Sequence, residues 1–329
     1  MTRPADSQGE NGESHPGRIW VLTDGKIGDD VQCLAVASGL SPSFEKRVVA
    51  PRWLWAMLAP YGPVDPREAP GREEGPLAGP FPDAAIVSGR RAIPHARALK
   101  KASGGKTRIV ILKDPRFGRG VADALWAPAH DRLDGANAFS TLTSPHALGA
   151  RVLSPPAPVP AIAALPKPFL GVVLGGVTAG GGADYSAEAA RDLAARLSQA
   201  GRDYAAVAVT PSRRTPPAFL DVLKASLDHP KLFIWNGEGD NPYPDILAQA
   251  AALVVAGDSH NMTSEALASR AAVYIWKPKG LAAKMGWFIG ELIARGEAKL
   301  FESAAPVFGR IPLDATPEII AEIRKRLEL

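Results

Sequence analysis

The residues from Ala252 to Ala268 have the sequence ALVVAGDSHNMTSEALA. Five apolar residues are followed by Gly257 and a polar turn, and a helical pattern begins between Asn261 and Ser264. This order predicts a buried strand whose carboxyl end leads into a helix N-terminus, where free N–H groups and the helix dipole attract an anion. Glu265 falls in the first helical turn, where it can accept hydrogen bonds from a ribose. The same polar residues also suit a helix that caps its own N-terminus and binds no ligand.

Two more loops in the second half of the chain follow apolar runs and carry residue types that bind phosphate. The loop at 174–182 is glycine-rich and includes Gly175 and Gly176, and glycine lets a ligand approach the backbone closely. The loop at 210–215 contains adjacent arginines, whose guanidinium groups suit a diphosphate. A flexible turn and a solvated charged loop are the respective alternatives. The predicted nucleotide-sugar-binding residues of this half are Gly175, Gly176, Ser212, Arg213, Arg214, Asp258, Ser259, Asn261, Met262, Thr263, Ser264 and Glu265.

Short apolar runs separated by helical stretches recur along the chain, which predicts layers of parallel α/β structure. The predicted strands are Ile19–Thr23, Ala84–Ser88, Arg108–Leu112, Ala124–Pro128, Leu170–Leu174, Tyr204–Val209, Lys231–Trp235, Ala252–Ala256 and Ala272–Trp276. A length of 329 residues favours two domains, and the prolines clustered in 154–168 predict a semi-rigid linker. The predicted units are a disordered tail (1–17), a first domain (18–153), the linker (154–168), a second domain (169–315) and a C-terminal helix (316–329).

The first half offers candidate residues for the facing side of a cleft between the domains. Gly25, Lys26 and Gly28 follow the first predicted strand, again in the order strand, glycine turn and helix, and they are also predicted to bind the nucleotide sugar. The segments Ser88–Arg91 and His130–Asp131 follow later strands. Charged residues at such positions also occur in ordinary solvated loops, which is the alternative for each of them.

Bulk composition narrows the class of ligand. Lys and Arg number 38 against 34 Asp and Glu, a formal net charge of +4. This excess suits a phosphate-bearing ligand, and it is too small and scattered to indicate nucleic acid. The six His residues include no ligand-spaced pair, and no dinucleotide-binding glycine motif occurs, so neither a metal nor a cofactor is predicted. Since the sequence shows no signal-peptide pattern and no long apolar run, a cytoplasmic location is expected.

The segment Pro51–Pro60 has the sequence PRWLWAMLAP. Tryptophan beside Arg52 favours a membrane interface, with the rings at headgroup level and the cation against anionic lipid. That interpretation implies peripheral membrane contact and a lipid-linked acceptor. The helical spacing of Trp53 and Met57 supports the alternative, a helix buried in the core, which the sequence favours.

The order of several motifs resembles the mitochondrial-fission ELM family. The resemblance runs from about Arg18 to Leu300. It rests on Gly25–Gly28, Gln32–Leu34, Asp114–Arg116, His130–Asp131, Ser212–Pro216, Asn241–Tyr243 and Asp258–Glu265. It implies a GT-B-like fold, in which two Rossmann-like domains face each other across a cleft and the second domain holds most of a nucleotide sugar. The chain departs from the family pattern in a proline-rich insertion after Trp55 and in Lys113-Asp114, where the pattern favours His before Pro-Arg.

The resemblance also implies an activity, namely metal-independent transfer of a sugar from a nucleotide-diphosphate donor. A helix N-terminus with Arg213 or Arg214 would neutralise the departing diphosphate. A base in the first domain would deprotonate the acceptor hydroxyl, and the candidates are Asp131, His130 and Asp29. The acceptor is not identified by the sequence. Plant relatives are associated with recruiting a dynamin-like protein, so a non-catalytic adaptor is one alternative, and a nucleotide-sugar epimerase is the other.

Overall fold

Two parallel β-sheets organise the computed structural model, which describes residues 17–177 and 182–328. The predicted α/β class with two Rossmann-like sheets is confirmed. Of the predicted tail only Gly17 is among the described residues, and residues 178–181 of the predicted glycine-rich loop also lie outside them.

The first sheet has the strand order β2-β1-β3-β4-β5-β6, and each neighbouring pair is parallel. Its strands are β1 (Ile19–Thr23), β2 (Phe44–Val48), β3 (Ala84–Ser88), β4 (Arg108–Leu112), β5 (Ala124–Pro128) and β6 (Ala138–Thr141). The helices between these strands are α1 (Ile27–Leu40), α2 (Trp53–Leu58) and α3 (Ile93–Ala102). Four of the nine predicted strands therefore lie in this sheet with the predicted bounds, and β2 and β6 were not predicted.

The second sheet repeats this plan with the order β12-β11-β10-β7-β8-β9. Its strands are β7 (Phe169–Leu174), β8 (Ala206–Pro211), β9 (Leu232–Ile234), β10 (Ala252–Ala256), β11 (Ala272–Trp276) and β12 (Lys299–Leu300). The helices of this half are α4 (Leu148–Leu153), α5 (Pro160–Ala163), α6 (Ala187–Gly201), α7 (Pro217–Ser226), α8 (Tyr243–Gln249), α9 (His260–Leu267), α10 (Ala283–Ala294) and α11 (Thr316–Leu327).

The strand order of each sheet reverses next to its first strand, between β1 and β3 in one sheet and between β7 and β10 in the other. Strands β1, β3, β7 and β10 are buried along their whole length, because helices cover both faces of the sheets. Ligands of open α/β sheets bind where the order reverses, at the carboxyl ends of the strands. The loops that begin at Asp24, Gly175 and Gly257 leave the sheets at these points.

The C-terminal helix α11 crosses back and packs against the first sheet. Ile319, Ile323 and Leu327 are buried in the same core cluster as Cys33 and Val36 of α1. The segment predicted as a linker includes α5, whose Ile162 is buried in the core of the second sheet. The helix that ends the chain therefore completes the core of the domain that begins it.

The short helix α2 is exposed, so the core-helix interpretation of Pro51–Pro60 is wrong. Trp53 is 72% exposed and Met57 is 64% exposed, whereas Ala56 is buried. Among the described residues, none of the helices has the length and apolar character needed to cross a bilayer.

Ile323→Ala should lower the free energy of unfolding by about 2–4 kcal/mol, the usual effect of removing most of a buried Ile side chain. Ile311→Ala is the matched control, because Ile311 is 85% exposed, and it should change stability by less than about 0.5 kcal/mol. Urea unfolding of the two variants measures both values. Equal stabilities of the two variants would show that α11 does not pack on the first core.

Candidate functional site

The carboxylate of Asp258 holds together three loops at the carboxyl edge of the second sheet. Its Oδ2 accepts a 2.9 Å hydrogen bond from the backbone N–H of Gly176, and its Oδ1 accepts one of 2.7 Å from the hydroxyl of Tyr185. The Nη2 of Arg214 lies 3.7 Å from Oδ2. Asp258 is buried, and a buried carboxylate is tolerated only with such partners. The loops after β7, β8 and β10 are therefore fixed relative to one another.

Gly175 and Gly176 make this contact between loops sterically possible. A Cβ on Gly175 would lie 2.1 Å from Oδ1 of Asp258, and one on Gly176 would lie 2.0 Å from the carbonyl oxygen of Arg214. Both distances are far shorter than van der Waals contact. The two glycines thus have a packing role in the protein's own loops, and their predicted contact with a ligand stays a prediction. In the next loop Ser212 donates to the Gly175 carbonyl oxygen at 2.7 Å, and Arg213 is exposed.

Helix α9 starts immediately after Asp258, with Ser259 as its N-cap. The hydroxyl of Ser259 accepts from the backbone N–H of Met262 at 3.4 Å. The N–H groups of His260 and Asn261 precede the first intrahelical bond, so they are available to an anion. Met262 packs against the core of the second sheet. This geometry agrees with the predicted helix cap, and it leaves the N–H groups of His260 and Asn261 available at the N-terminus of the helix.

The first turn of α9 also contacts the first domain. The amide of Asn261 donates to the Gly28 carbonyl oxygen at 3.3 Å and accepts from Nε2 of Gln32 at 2.8 Å. The hydroxyl of Ser264 accepts from the backbone N–H of Ser144 at 3.0 Å. The N-terminal ends of α1 and α9 therefore meet across the cleft, and the partial positive charges of the two helices add there.

Other predicted residues of this region are buried or paired. Thr263 is fully buried, and its Oγ1 has no hydrogen-bond partner among the described residues. The Nζ of Lys26 lies 2.8 Å from Oδ2 of Asp24, and Gly25 adopts a φ of 78° that favours glycine.

Of the three candidate bases, His130 contacts α9, whereas Asp29 and Asp131 are paired with lysines. Asp29 accepts a 2.5 Å hydrogen bond from Nζ of Lys113. The ring of His130 packs on that of His260, with 4.7 Å between centroids, and Asp131 lies 3.3 Å from Nζ of Lys284. Burial lowers the pKa of His130 and lowers that of His260 to about 3, so the rings are neutral near pH 7.

Glu265 is 8% exposed and accepts a hydrogen bond from the hydroxyl of Tyr243, at the start of α8. Burial raises the pKa of Glu265 to about 7, and the hydrogen bond from Tyr243 opposes this rise. The carboxyl group of Glu265 therefore changes its protonation state near pH 7. Because α9 begins at His260, Glu265 lies in the second turn of the helix and not in the first turn as predicted. Its ribose contact stays a prediction.

Sequence reasoning assigned no role to several residues that complete this site. Tyr243 and Gln32 occur in the motifs that carry the family resemblance, and this was the available signal for both. Tyr185, Lys113 and Lys284 reach their partners from loops or helices far away in the sequence. No periodicity or short motif indicates those three contacts.

The model of a protein family described as mitochondrial fission ELM1 matches residues 27–327. An Arabidopsis thaliana protein named mitochondrial fission protein ELM1 is 33% identical over 169 residues, which are 50% of this chain and 39% of that protein. The matched part therefore spans well under half of the plant relative.

Solved structures with low sequence identity share the fold. A Listeria monocytogenes protein, provisionally assigned as a UDP-N-acetylglucosamine 2-epimerase, has a TM-score of 0.56 at 12% identity, over 94% of this chain and 88% of that one. The UDP-GlcNAc 2-epimerase of Methanocaldococcus jannaschii has a TM-score of 0.51 at 11% identity, over 94% and 99%. S. aureus MnaA, in a co-structure with UDP, has a TM-score of 0.50 at 13% identity, over 95% and 97%. These likenesses confirm the predicted GT-B-like architecture.

The raised pKa of Glu265 generates a prediction about stability and pH. Its folded-state pKa of about 7 exceeds the model-peptide value of 4.5, so unfolding releases a proton between these values and stability falls as pH rises through this window. Between pH 5 and pH 8 the free energy of unfolding of the native protein should therefore fall. This fall should exceed that of the Glu265→Gln variant by about 1–3 kcal/mol. Urea unfolding at both pH values measures the difference.

Tyr243→Phe is the control for this assignment. Removing the donated hydrogen bond should raise the pKa of Glu265 further and steepen the loss between pH 5 and pH 8. If the native protein and Glu265→Gln show the same dependence on pH, the carboxyl group does not titrate in this window.

Proposed function

This chain belongs to the mitochondrial fission ELM1 family, and from that premise we propose that it binds a nucleoside-diphosphate sugar between its two sheets and transfers the sugar to an acceptor without a metal ion. The observation that carries the proposal is the meeting of the α1 and α9 N-termini across the cleft, through Asn261, Gly28 and Gln32. Solved structures that share the fold include S. aureus MnaA in a co-structure with UDP and a UDP-GlcNAc 2-epimerase. UDP is therefore the first ligand to test. A cytoplasmic location belongs to the same proposal.

The diphosphate is assigned to the N-terminus of α9. Two N–H groups without intrahelical partners, those of His260 and Asn261, point along the helix axis toward the cleft. Arg214 lies beside this end of the helix, since its guanidinium is 3.7 Å from Asp258, and Arg213 is exposed on the same loop. Guanidinium groups bind phosphate oxygens in pairs of hydrogen bonds. The dipole and the arginines together would stabilise the charge on the departing diphosphate.

The ribose is assigned to Glu265. The neighbouring Tyr243 hydroxyl already occupies one carboxyl oxygen and fixes the orientation of the group. A carboxylate so oriented can accept hydrogen bonds from vicinal hydroxyls, and these new bonds would favour the charged form and lower the pKa of the group. Ligand binding would then recover part of the stability that the buried carboxylate loses above neutral pH.

The acceptor is assigned to the first domain, beside Gly25, Lys26 and Gly28. In the proposed step the acceptor oxygen bonds to the anomeric carbon while a base takes its proton. The bond from that carbon to the diphosphate breaks, and the diphosphate leaves with the electron pair. The candidate bases stay Asp131, His130 and Asp29. Of these, His130 has a lowered pKa and a buried Nδ1 without a partner in the described part of the chain, so its ring is neutral as a base requires.

The paired change of Arg213 and Arg214 to Gln should weaken binding of UDP by about tenfold to a hundredfold, because charge-assisted hydrogen bonds to phosphate are lost. The paired change of Arg202 and Arg270 to Gln is the matched control: both residues are exposed and lie at the opposite, amino edge of the second sheet. Titration calorimetry should give native affinity for the control. An identical affinity in both double variants would exclude the loop after β8 from the nucleotide site.

Turnover separates the proposed activity from its alternatives. The native protein should release UDP from UDP-N-acetylglucosamine faster when an acceptor is added. Interconversion of the sugar with no acceptor present would instead indicate an epimerase. Binding of no nucleotide, or binding with no turnover over a broad acceptor panel, would favour an adaptor.

A further inference from the structure

An exposed apolar surface lies at the carboxyl edge of the first sheet, and we refer to it as the apolar rim. It consists of Trp53, Leu54, Met57, Leu58, Tyr61 and Phe117. The rings of Tyr61 and Phe117 are in contact, with 4.4 Å between centroids, which joins the loop after α2 to the loop after β4. A contiguous exposed apolar surface of this kind marks an interaction site.

The apolar rim is held in place by polar contacts on its inner side. Nη2 of Arg90 donates to the carbonyl oxygen of Ala56 at 3.1 Å, and Nη2 of Arg97 donates to that of Pro60 at 2.8 Å. The guanidinium of Arg52 binds Asp65 with N–O distances of 2.7 and 2.9 Å. A helix of six residues is not stable on its own. These contacts therefore fix α2 with its apolar side chains facing outward.

A cavity of about 330 Å³ opens beside the apolar rim. Its lining includes four cations against two acids, namely Lys26, Arg90, Lys113 and Arg116 with Asp29 and Asp114. Lys26 is bound to Asp24, Lys113 to Asp29 and Asp114 to Arg119, so the remaining charge of this lining is the positive charge of Arg90 and Arg116. Two residues of the lining connect the cavity to the apolar rim, because Arg90 contacts α2 and Arg116 directly precedes Phe117. A cationic cavity thus adjoins an exposed apolar surface.

We propose that the apolar rim docks on an anionic lipid bilayer and that the cavity receives the phosphate of a lipid headgroup. Tryptophan favours the headgroup level of a bilayer, and cations beside it favour anionic lipid. This charge complementarity selects a bilayer over a second copy of the chain, because a copy would bring the same cations against each other. The assignment of that lipid as the sugar acceptor rests on the proposed function. The docking itself rests on the surface alone.

The test is co-sedimentation with vesicles of phosphatidylcholine, with and without phosphatidylglycerol. The native protein should bind the anionic vesicles, and added salt should release it. The paired change of Trp53 and Met57 to Ser should reduce binding at least about tenfold, because two apolar side chains no longer enter the interface. The paired change of Val307 and Ile311 to Ser is the matched control: both residues are exposed apolar residues outside the apolar rim, and binding should be unchanged.

Two further measurements make the result decisive. Arg116→Gln should weaken binding to anionic vesicles while leaving any binding to pure phosphatidylcholine unchanged. Calorimetry with UDP on the Trp53 and Met57 double variant should give native affinity, which separates failure of docking from failure of the nucleotide site. Equal vesicle binding by both double variants would overturn the proposal. So would a concentration-dependent dimer in gel filtration that the Trp53 and Met57 change abolishes.

Discussion

The buried carboxylate of Asp258 is the interaction on which the arrangement of the cleft depends. Removal of a carboxylate from water is costly unless donors surround it. The backbone of Gly176 and the hydroxyl of Tyr185 supply those donors, and Arg214 supplies a nearby positive charge. This need for donors draws the loops after β7, β8 and β10 together and excludes any side chain at Gly175. The N-terminus of α9 is thereby placed where three loops of one sheet edge converge.

The position of α9 in turn determines how the two domains meet. Asn261 contacts α1, Ser264 contacts the segment around Ser144, and Nε2 of His260 lies 3.0 Å from the Leu142 carbonyl oxygen. An anion at the helix N-terminus therefore lies next to the contacts that set the angle between the domains. A ligand that binds an open and a closed arrangement of the two domains with different affinity would shift the populations of these arrangements. It would act through the same residues.

The sequence predicts the central strands well, because a parallel strand covered on both faces is a continuous apolar run. The strands that were missed, β2, β6 and β12, are edge strands. Phe44–Val48 has the sequence FEKRV and no fully buried residue, and Lys299–Leu300 is exposed. The loops of the candidate site were also predicted, since they follow strand ends. The role of Asp258 was not, because Gly176 and Tyr185 lie 82 and 73 residues away and only the folded chain brings them together.

Three cations of the cleft already lie next to carboxylates of the protein, and this limits what a phosphate ligand can gain. Lys26 is bound to Asp24, Lys113 to Asp29, and Arg214 is close to Asp258. A diphosphate must share these cations with carboxylates, so its net Coulomb gain is smaller than the number of cations implies. The first turn of α9 contains no acidic residue, and the carboxylate of Asp258 just before it is bound to the backbone N–H of Gly176 and to Tyr185. Backbone donors should therefore determine where the diphosphate binds, whereas the paired side chains adjust how tightly it is held.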